Sequence, residues 1–385
     1  MNMHAGPVQG QETAPSSTRG EVPIRSSFQH QGDLRALGRA VAEGGSALVI
    51  GVKNFDPRQR TKENAAHIRE VAQTLARAQQ AGEQLTPAAN WLLDNSHVVE
   101  AAIAGIRRDL PPRFYQELPE LGGAGIPRVL AIAWAYVAHT DSAISLEGFR
   151  EIVEGFQDVQ PLRIGELWAL PSILRFVLVE NLRRLALRVA GARDMRLAAN
   201  ALADQIAVLP AEHSTQVLNN HRQYAKDRVF ATQLLFRLRD GSVSSGAALG
   251  WLENELEASG TDAEEATLAE HANLSAGNVT TGNIIKGLRL IDDIDWTDWF
   301  ETVSSVDRLL REHTDFDALD FQSRDAYRRA IEELAKRSGK DEATITRAAL
   351  DFAGEKNVDV GSVLAGPDLE AFEQRVGYQP SFSLK

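Results

Sequence analysis

Along most of this chain apolar residues recur every three to four positions, the spacing that lines them up on one face of an α-helix. A short helix is predicted from Asp33 to about Glu43, and an Ala-, Glu- and Arg-rich one from Arg60 to Gln80, ending where Gly82 suits a C-terminal cap. Thr86-Pro87 is a start signal, a capping hydroxyl followed by proline at the first helical position. The helix it opens carries Trp91, Leu92, Val98, Val99, Ile103 and Ile106 and stops at Pro111-Pro112. After a connector from Tyr115 to Gly125, helices are predicted from Pro127 to Val137 and from Ser145 to Gln157. The next, from Ile164 to Arg188, is expected to be interrupted at Pro171. Further amphipathic segments follow at 193–208, 214–220, 227–239, 246–258, 262–274, 277–291, 296–312, 323–338 and 342–354.

No useful length of the last two hundred residues alternates with period two. SALVIGVKNF, Ser46 to Phe55, has the β-branched content of a strand but no partner, and is assigned to a loop or helical turn. The expectation is an all-α protein, an array of packed antiparallel helix pairs that can stack solenoid-like although no fixed-period repeat is found. Residues 1–30, rich in Gly, Pro, Ser, Thr and Gln, form a disordered N-terminal leader in this reading. A helical domain over 31–240 and a second helical subdomain over 241–360 meet at the small-residue stretch near Gly241, and 361–385 is an irregular tail.

Composition narrows the function classes. The 385 residues carry a formal net charge of −12, which opposes binding to the phosphate backbone of nucleic acid. Without cysteine there are no disulfides, thiolate metal sites or cysteine nucleophile. The longest apolar run, Val129 to Val137, falls far short of the roughly 20 residues needed to cross a bilayer, so no transmembrane segment is expected and the polypeptide should be soluble. Its first residues lack the basic and apolar regions of a secretory signal.

Chemical signatures are sparse. Gly277 to Asn283 has the glycine spacing of a phosphate loop but puts Asn283 where lysine belongs, with no strand before it. Asp292, Asp293 and Asp295 are spaced for a divalent ion, yet Asp295 as the cap of a helix beginning at Trp296 explains its position better. The histidines form no metal signature. Two stretches are richer in polar variety than a surface helix needs, Trp91 to Pro119 and Ile164 to Arg184. From them come the candidate ligand or docking residues Trp91, Asp94, Asn95, His97, Arg107, Arg108, Asp109, Tyr115, Glu166, Trp168, Glu180, Asn181 and Arg183, with Glu180 and Arg184 spaced to pair on one face. Buried polar pairing that fixes how the helices dock is the favoured reading over a ligand pocket.

The same stretches carry a family likeness. LDNSHVVE (Leu93 to Glu100), IRRDLP (Ile106 to Pro111), FYQELP (Phe114 to Pro119), IPRV (Ile126 to Val129), AHTD (Ala138 to Asp141), PLRIGELWALP (Pro161 to Pro171) and ENLRRLA (Glu180 to Ala186) follow in order. They continue with NVTTGNIIKGLRLIDDIDW (Asn278 to Trp296), Val306-Asp307-Arg308 and RDAYRRAIEELA (Arg324 to Ala335). Together they resemble the amino-terminal region of cyclic β-1,2-glucan synthases, over about residues 45 to 378. The resemblance implies a multi-pass inner-membrane enzyme that polymerises glucose from UDP-glucose into β-1,2-linked chains and cyclises them, with a transferase domain that uses UDP-glucose and a divalent metal. The family's transferase signatures and membrane helices lie after the matched region, so this chain is expected to hold no cofactor and to be a truncated or split product. Its expected partners are the transferase and membrane parts of the same synthase. Its expected place is the cytoplasm or the cytoplasmic face of the inner membrane. A helical module that binds a glucan or nucleotide sugar through Trp91, Tyr115, Trp168 and nearby arginines is the alternative.

Overall fold

A computed structural model describes residues 21–25, 33–44, 57–122, 125–240 and 245–379. Most of the leader, the stretch 46–55 and residues 241–244 lie outside them. The described residues are helical, with a single bridge between Glu120 and Pro127 and no strand. The α-helices are α1 (Leu34–Ala42), α2 (Pro57–Gln80), α3 (Pro87–Asp94), α4 (Ser96–Asp109), α5 (Pro112–Glu117), α6 (Arg128–His139), α7 (Leu146–Gln157), α8 (Ile164–Ala207) and α9 (Ala211–Asn220). They continue with α10 (Arg228–Arg239), α11 (Ser245–Ala258), α12 (Ala263–Asp293), α13 (Trp296–Val303), α14 (Ser305–His313), α15 (Phe321–Ser338), α16 (Glu342–Lys356), α17 (Val360–Ala365) and α18 (Leu369–Val376). The all-α expectation holds.

Several boundaries differ from the sequence reading: the connector expected from Tyr115 to Gly125 begins within the short helix α5, and the gap expected between Arg188 and Arg193 is helical. Pro171 does not interrupt α8, a continuous helix of 44 residues. Leu167, Leu170, Ile173 and Leu174 around it are at most 2% exposed, and burial of that face outweighs the roughly 3 kcal/mol that an internal proline costs. The glycines and threonines of 277–283 likewise fail to break α12, a helix of 31 residues. Asn95 splits the helix opened by Thr86, its Nδ2 donating to the Trp91 carbonyl at 2.8 Å in competition with the backbone ladder. Ser304 ends α13 and caps α14 by accepting from the Asp307 N–H at 3.1 Å. The tail expected to be irregular carries α17 and α18, with Val363, Leu364 and Phe372 fully buried.

The chain folds as two compact units that are interleaved in sequence. Of the described residues, one unit takes those within Met1–Pro23, Glu63–His97 and Glu180–Ile285, and the other those within Ile24–Lys62, Val98–Val179 and Lys286–Lys385. The first has a core of Met195, Leu202, Ile206, Phe230, Leu234 and Leu252, drawn from α8, α10 and α11. In the second, α6 is buried along its whole length from Val129 to Val137 beside Phe149, Phe156 and Phe176, so the most apolar run of the sequence is core. Among the described residues no helix is long and apolar enough to cross a membrane.

In the second unit α1 lies against α7 so closely that the contact requires two glycines. A Cβ at Gly38 would sit 2.1 Å from the Ile152 carbonyl oxygen, and one at Gly155 only 2.0 Å from that of Arg35. Arg35 grips Asp158 with Nε and Nη2, both at 2.8 Å, and Arg39 adds a third bond at 3.0 Å.

Candidate functional site

The candidate residues fall into both units. In the first, Trp91 is half-buried and lies over Gly282, where a Cβ would stand 3.5 Å from the indole. Asp94 and His97 are exposed, and Asn95 is buried. Asn278, from the glycine-rich stretch of α12, accepts the Ala88 N–H at 2.9 Å while Thr86 accepts that of Ala89, so two side chains cap α3. Thr280 and Thr281 turn their hydroxyls back to carbonyls one turn earlier in α12. Gly277 to Asn283 is therefore a stretch of packing helix, unlike the turn of a phosphate loop.

Glu180 and Asn181 are wholly buried on α8, and Arg183 is 4% exposed. The Glu180 carboxylate accepts from Arg183 Nη2 and from Arg184 Nε, each at 2.8 Å, the pairing expected from the spacing. The same arginines reach the short described piece of the leader: both contact Glu21 Oε2 at 2.8 Å, and Arg184 donates to the Val22 carbonyl.

In the second unit Arg107 and Arg108 are exposed, and Arg108 holds Asp109 through Nε at 2.7 Å. Arg175, from the polar-rich stretch Ile164 to Arg184, is 7% exposed and bridges Asp109 at 3.7 Å and Asp292 at 2.7 Å. Gly105 leaves room for it, since a Cβ there would lie 3.2 Å from Nη1. Tyr115 is 9% exposed, and Trp168 stacks on Phe300 with ring centroids 4.4 Å apart. Asp295 caps α13 through the Thr297 N–H. Among the described residues no group of three or more histidine or carboxylate side chains is arranged to hold a metal. With Asp292 spent on Arg175 and Asp295 on a cap, these aspartates do not fit a divalent ion.

Three carboxylates meet the amino terminus of α8, where the unpaired N–H groups and the helix dipole favour negative charge. Glu166, 1% exposed, is gripped by both Nε and Nη2 of Arg128 and accepts the Arg163 N–H. Glu342, from α16, accepts the Ile164 N–H at 2.8 Å, and Glu332 of α15 stands beside Gly165. Burial pushes the Glu342 carboxyl from its ordinary 4.5 up to about 7, against the Ile164 N–H and with the help of Glu332. The folded state thus prefers the protonated acid: the stabilisation is fully present below about pH 4.5 and is lost as pH rises through about 7. Glu342→Gln keeps an acceptor for Ile164 and removes this dependence. The urea midpoint of the parent is expected to fall between pH 5 and 8 by the equivalent of about 2–3 kcal/mol relative to the variant; parallel pH profiles would refute the assignment.

A further cluster went unnoticed in the sequence. Arg328 of α15 is 1% exposed, donates to Asp307 through Nε at 3.1 Å and to Glu301 through Nη2 at 2.8 Å, and lies within 6 Å of the ring centres of Phe300, Phe316 and Phe321. Nothing in the sequence distinguishes it from the adjacent Arg329, which is exposed; one helical step decides which arginine is buried.

These features define a helical protein braced by buried ion pairs. No family model matches the chain. In an alignment of 372 positions that covers 93% of its length, it is 50% identical to the cyclic β-(1,2)-glucan synthase NdvB of Rhizobium meliloti (strain 1021). The chain spans only 13% of that protein, and so is homologous to one region of a cyclic β-1,2-glucan synthase, as its motifs anticipated.

Proposed function

We propose that the chain is the amino-terminal, non-catalytic helical module of a cyclic β-1,2-glucan synthase, on the cytoplasmic face of the inner membrane, where it packs against and positions the transferase. Glucosyl transfer from UDP-glucose with a divalent metal then belongs to other parts of the synthase. The observation that carries this reading is how the motif residues are used. Glu166 is spent on Arg128, Glu180 on Arg183 and Arg184, and Asp109 and Asp292 on Arg175. Trp168 is engaged with Phe300 and Tyr115 is buried, which supports a bracing role for the aromatic candidates over one in stacking sugar.

Two measurements test it. The purified chain incubated with UDP-glucose and Mg²⁺ or Mn²⁺ is expected to yield no glucan, and any β-1,2-linked product would sink the reading. In a full synthase, replacing the arginine aligned with Arg175 by alanine is expected to lower the amount of assembled enzyme severalfold while assembled molecules keep their turnover. Turnover lost with assembly intact would instead favour a ligand-binding module.

A further inference from the structure

The first unit contains a half-open cleft of about 230 Å³ between α2, the loop Glu83–Thr86, and one face of α8, closed at one end by Gln233 of α10. Its walls are aliphatic, from Leu75, Leu85, Val189 and Leu197, and no aromatic ring lines it. Its charged groups are in unequal states. Arg193 is fully matched, Nε and Nη2 bonding the two oxygens of Glu83 at 2.8 and 2.5 Å. Arg196, one helical turn along and half-buried, makes no hydrogen bond and no ion pair among the described residues. Burial holds its guanidinium below the ordinary arginine value, and Glu270 attracts it only from beyond ion-pair distance. Five N–H donors in a rigid fork, partly withdrawn from water and without an acceptor, are costly unless an oxyanion takes them.

Beside the guanidinium, Gln233 Nε2 donates to Asn200 Oδ1 at 2.8 Å. That bond fixes both amides and leaves the Asn200 Nδ2 donors and the Gln233 Oε1 acceptor for another partner, a donor and acceptor side by side as hydroxyl groups require. The volume lies below the roughly 300–1,000 Å³ of drug-sized sites, and without an aromatic face there is nothing to stack a nucleobase. We infer that this cleft binds a small anionic polyol of about one sugar unit, its phosphate or carboxylate on Arg196 and its hydroxyls on Asn200 and Gln233. The inference goes beyond the scaffold reading, which rests on the motif residues and not on this cleft.

The test uses the full chain with glucose 6-phosphate, glucuronate, glucose and inorganic phosphate as probes, followed by calorimetric titration and by hydrogen exchange. Either anionic sugar is expected to bind saturably, at least tenfold more tightly than glucose or phosphate, and to protect amides in 83–89 and 189–200. Whichever of the two binds more tightly identifies the oxyanion as phosphate or carboxylate. Arg196→Gln is expected to weaken binding tenfold or more. Should that variant fail to fold, Gln233→Glu, which sets a carboxylate beside the oxyanion, is expected to do the same. The proposal is overturned if neither anionic sugar binds, if glucose binds as well as they do, if phosphate alone binds as tightly, or if the folded variants bind unchanged. Protection appearing instead at 57–62 and 106–110, around the basic hollow of Arg58, Lys62 and Arg107, would also overturn it.

Discussion

Arg328→Met is expected to destabilise the protein by about 3–5 kcal/mol, read as a fall in the urea midpoint of the transition that melts α14 and α15. The arginine is 1% exposed and its principal partner, Asp307, is 0% exposed, so the substitution leaves a buried carboxylate with the Ser304 hydroxyl, at 3.1 Å, but no cation bonded to it. Arg311 stands 3.9 Å from that carboxylate, too far to replace the two bonds that Arg328 makes. The expected cost comes from the orphaned charge more than from the lost attraction. Arg328→Met combined with Asp307→Leu should therefore recover at least half of it, because apolar replacement of a whole buried pair is often close to neutral. A single variant costing less than about 1 kcal/mol, the worth of a surface pair, would show that the cluster braces nothing.

The second large effect is steric. Gly155→Ala places a methyl group 2.0 Å from the backbone oxygen of Arg35, and Gly38→Ala one 2.1 Å from that of Ile152. Neither clash can be relieved by turning a side chain, so the two helices must separate. Overpacking of a side chain costs about 1–3 kcal/mol, and a backbone overlap on this scale belongs at or above the top of that range. Hydrogen exchange should show α1 losing its protection in either variant, and limited proteolysis should cut there first, with α6 and the rest of α7 unchanged. Arg35→Ala, by contrast, removes only partly exposed ion pairs and should leave the urea midpoint almost unchanged. If it were the more damaging change, the charges and not the close approach would hold α1 in place.

What could be read in the sequence was what its local patterns encode. Thr86-Pro87, Asp295 and the Glu180–Arg184 spacing each specify their structure within one or two helical turns, and each is found as expected. The Ser304 break was also legible, since Ser304 and Asp307 have the spacing of a capping pair, but the apolar periodicity on either side concealed it. Pro171 points in the opposite direction: its intrinsic cost is local and readable, whereas the burial of Leu170, Ile173 and Leu174 that overrides it depends on the rest of the fold. The long-range pairs were beyond reach. Arg128 with Glu166 spans 38 positions and Arg175 with Asp292 spans 117, and a chain with 53 acidic residues offers every arginine many equivalent partners. For the candidate site the result was a set of polar positions without their pairing, and the cleft at Arg196 went unseen because its defining property is a partner that is missing.

Asn278 capping α3 has a consequence for how the protein is made. The acceptor for the Ala88 N–H is encoded 190 residues downstream. At ribosomal rates of about 5–20 residues per second, α3 leaves the ribosome roughly 10–40 s before its second cap exists. The first unit as a whole needs Glu63–His97 together with Glu180–Ile285, so during that interval Leu75, Leu92 and their neighbours are synthesised without the core that later covers them. A nascent chain stalled between 100 and 270 should accordingly bind chaperones that hold exposed apolar segments, and release them once synthesis passes Ile285.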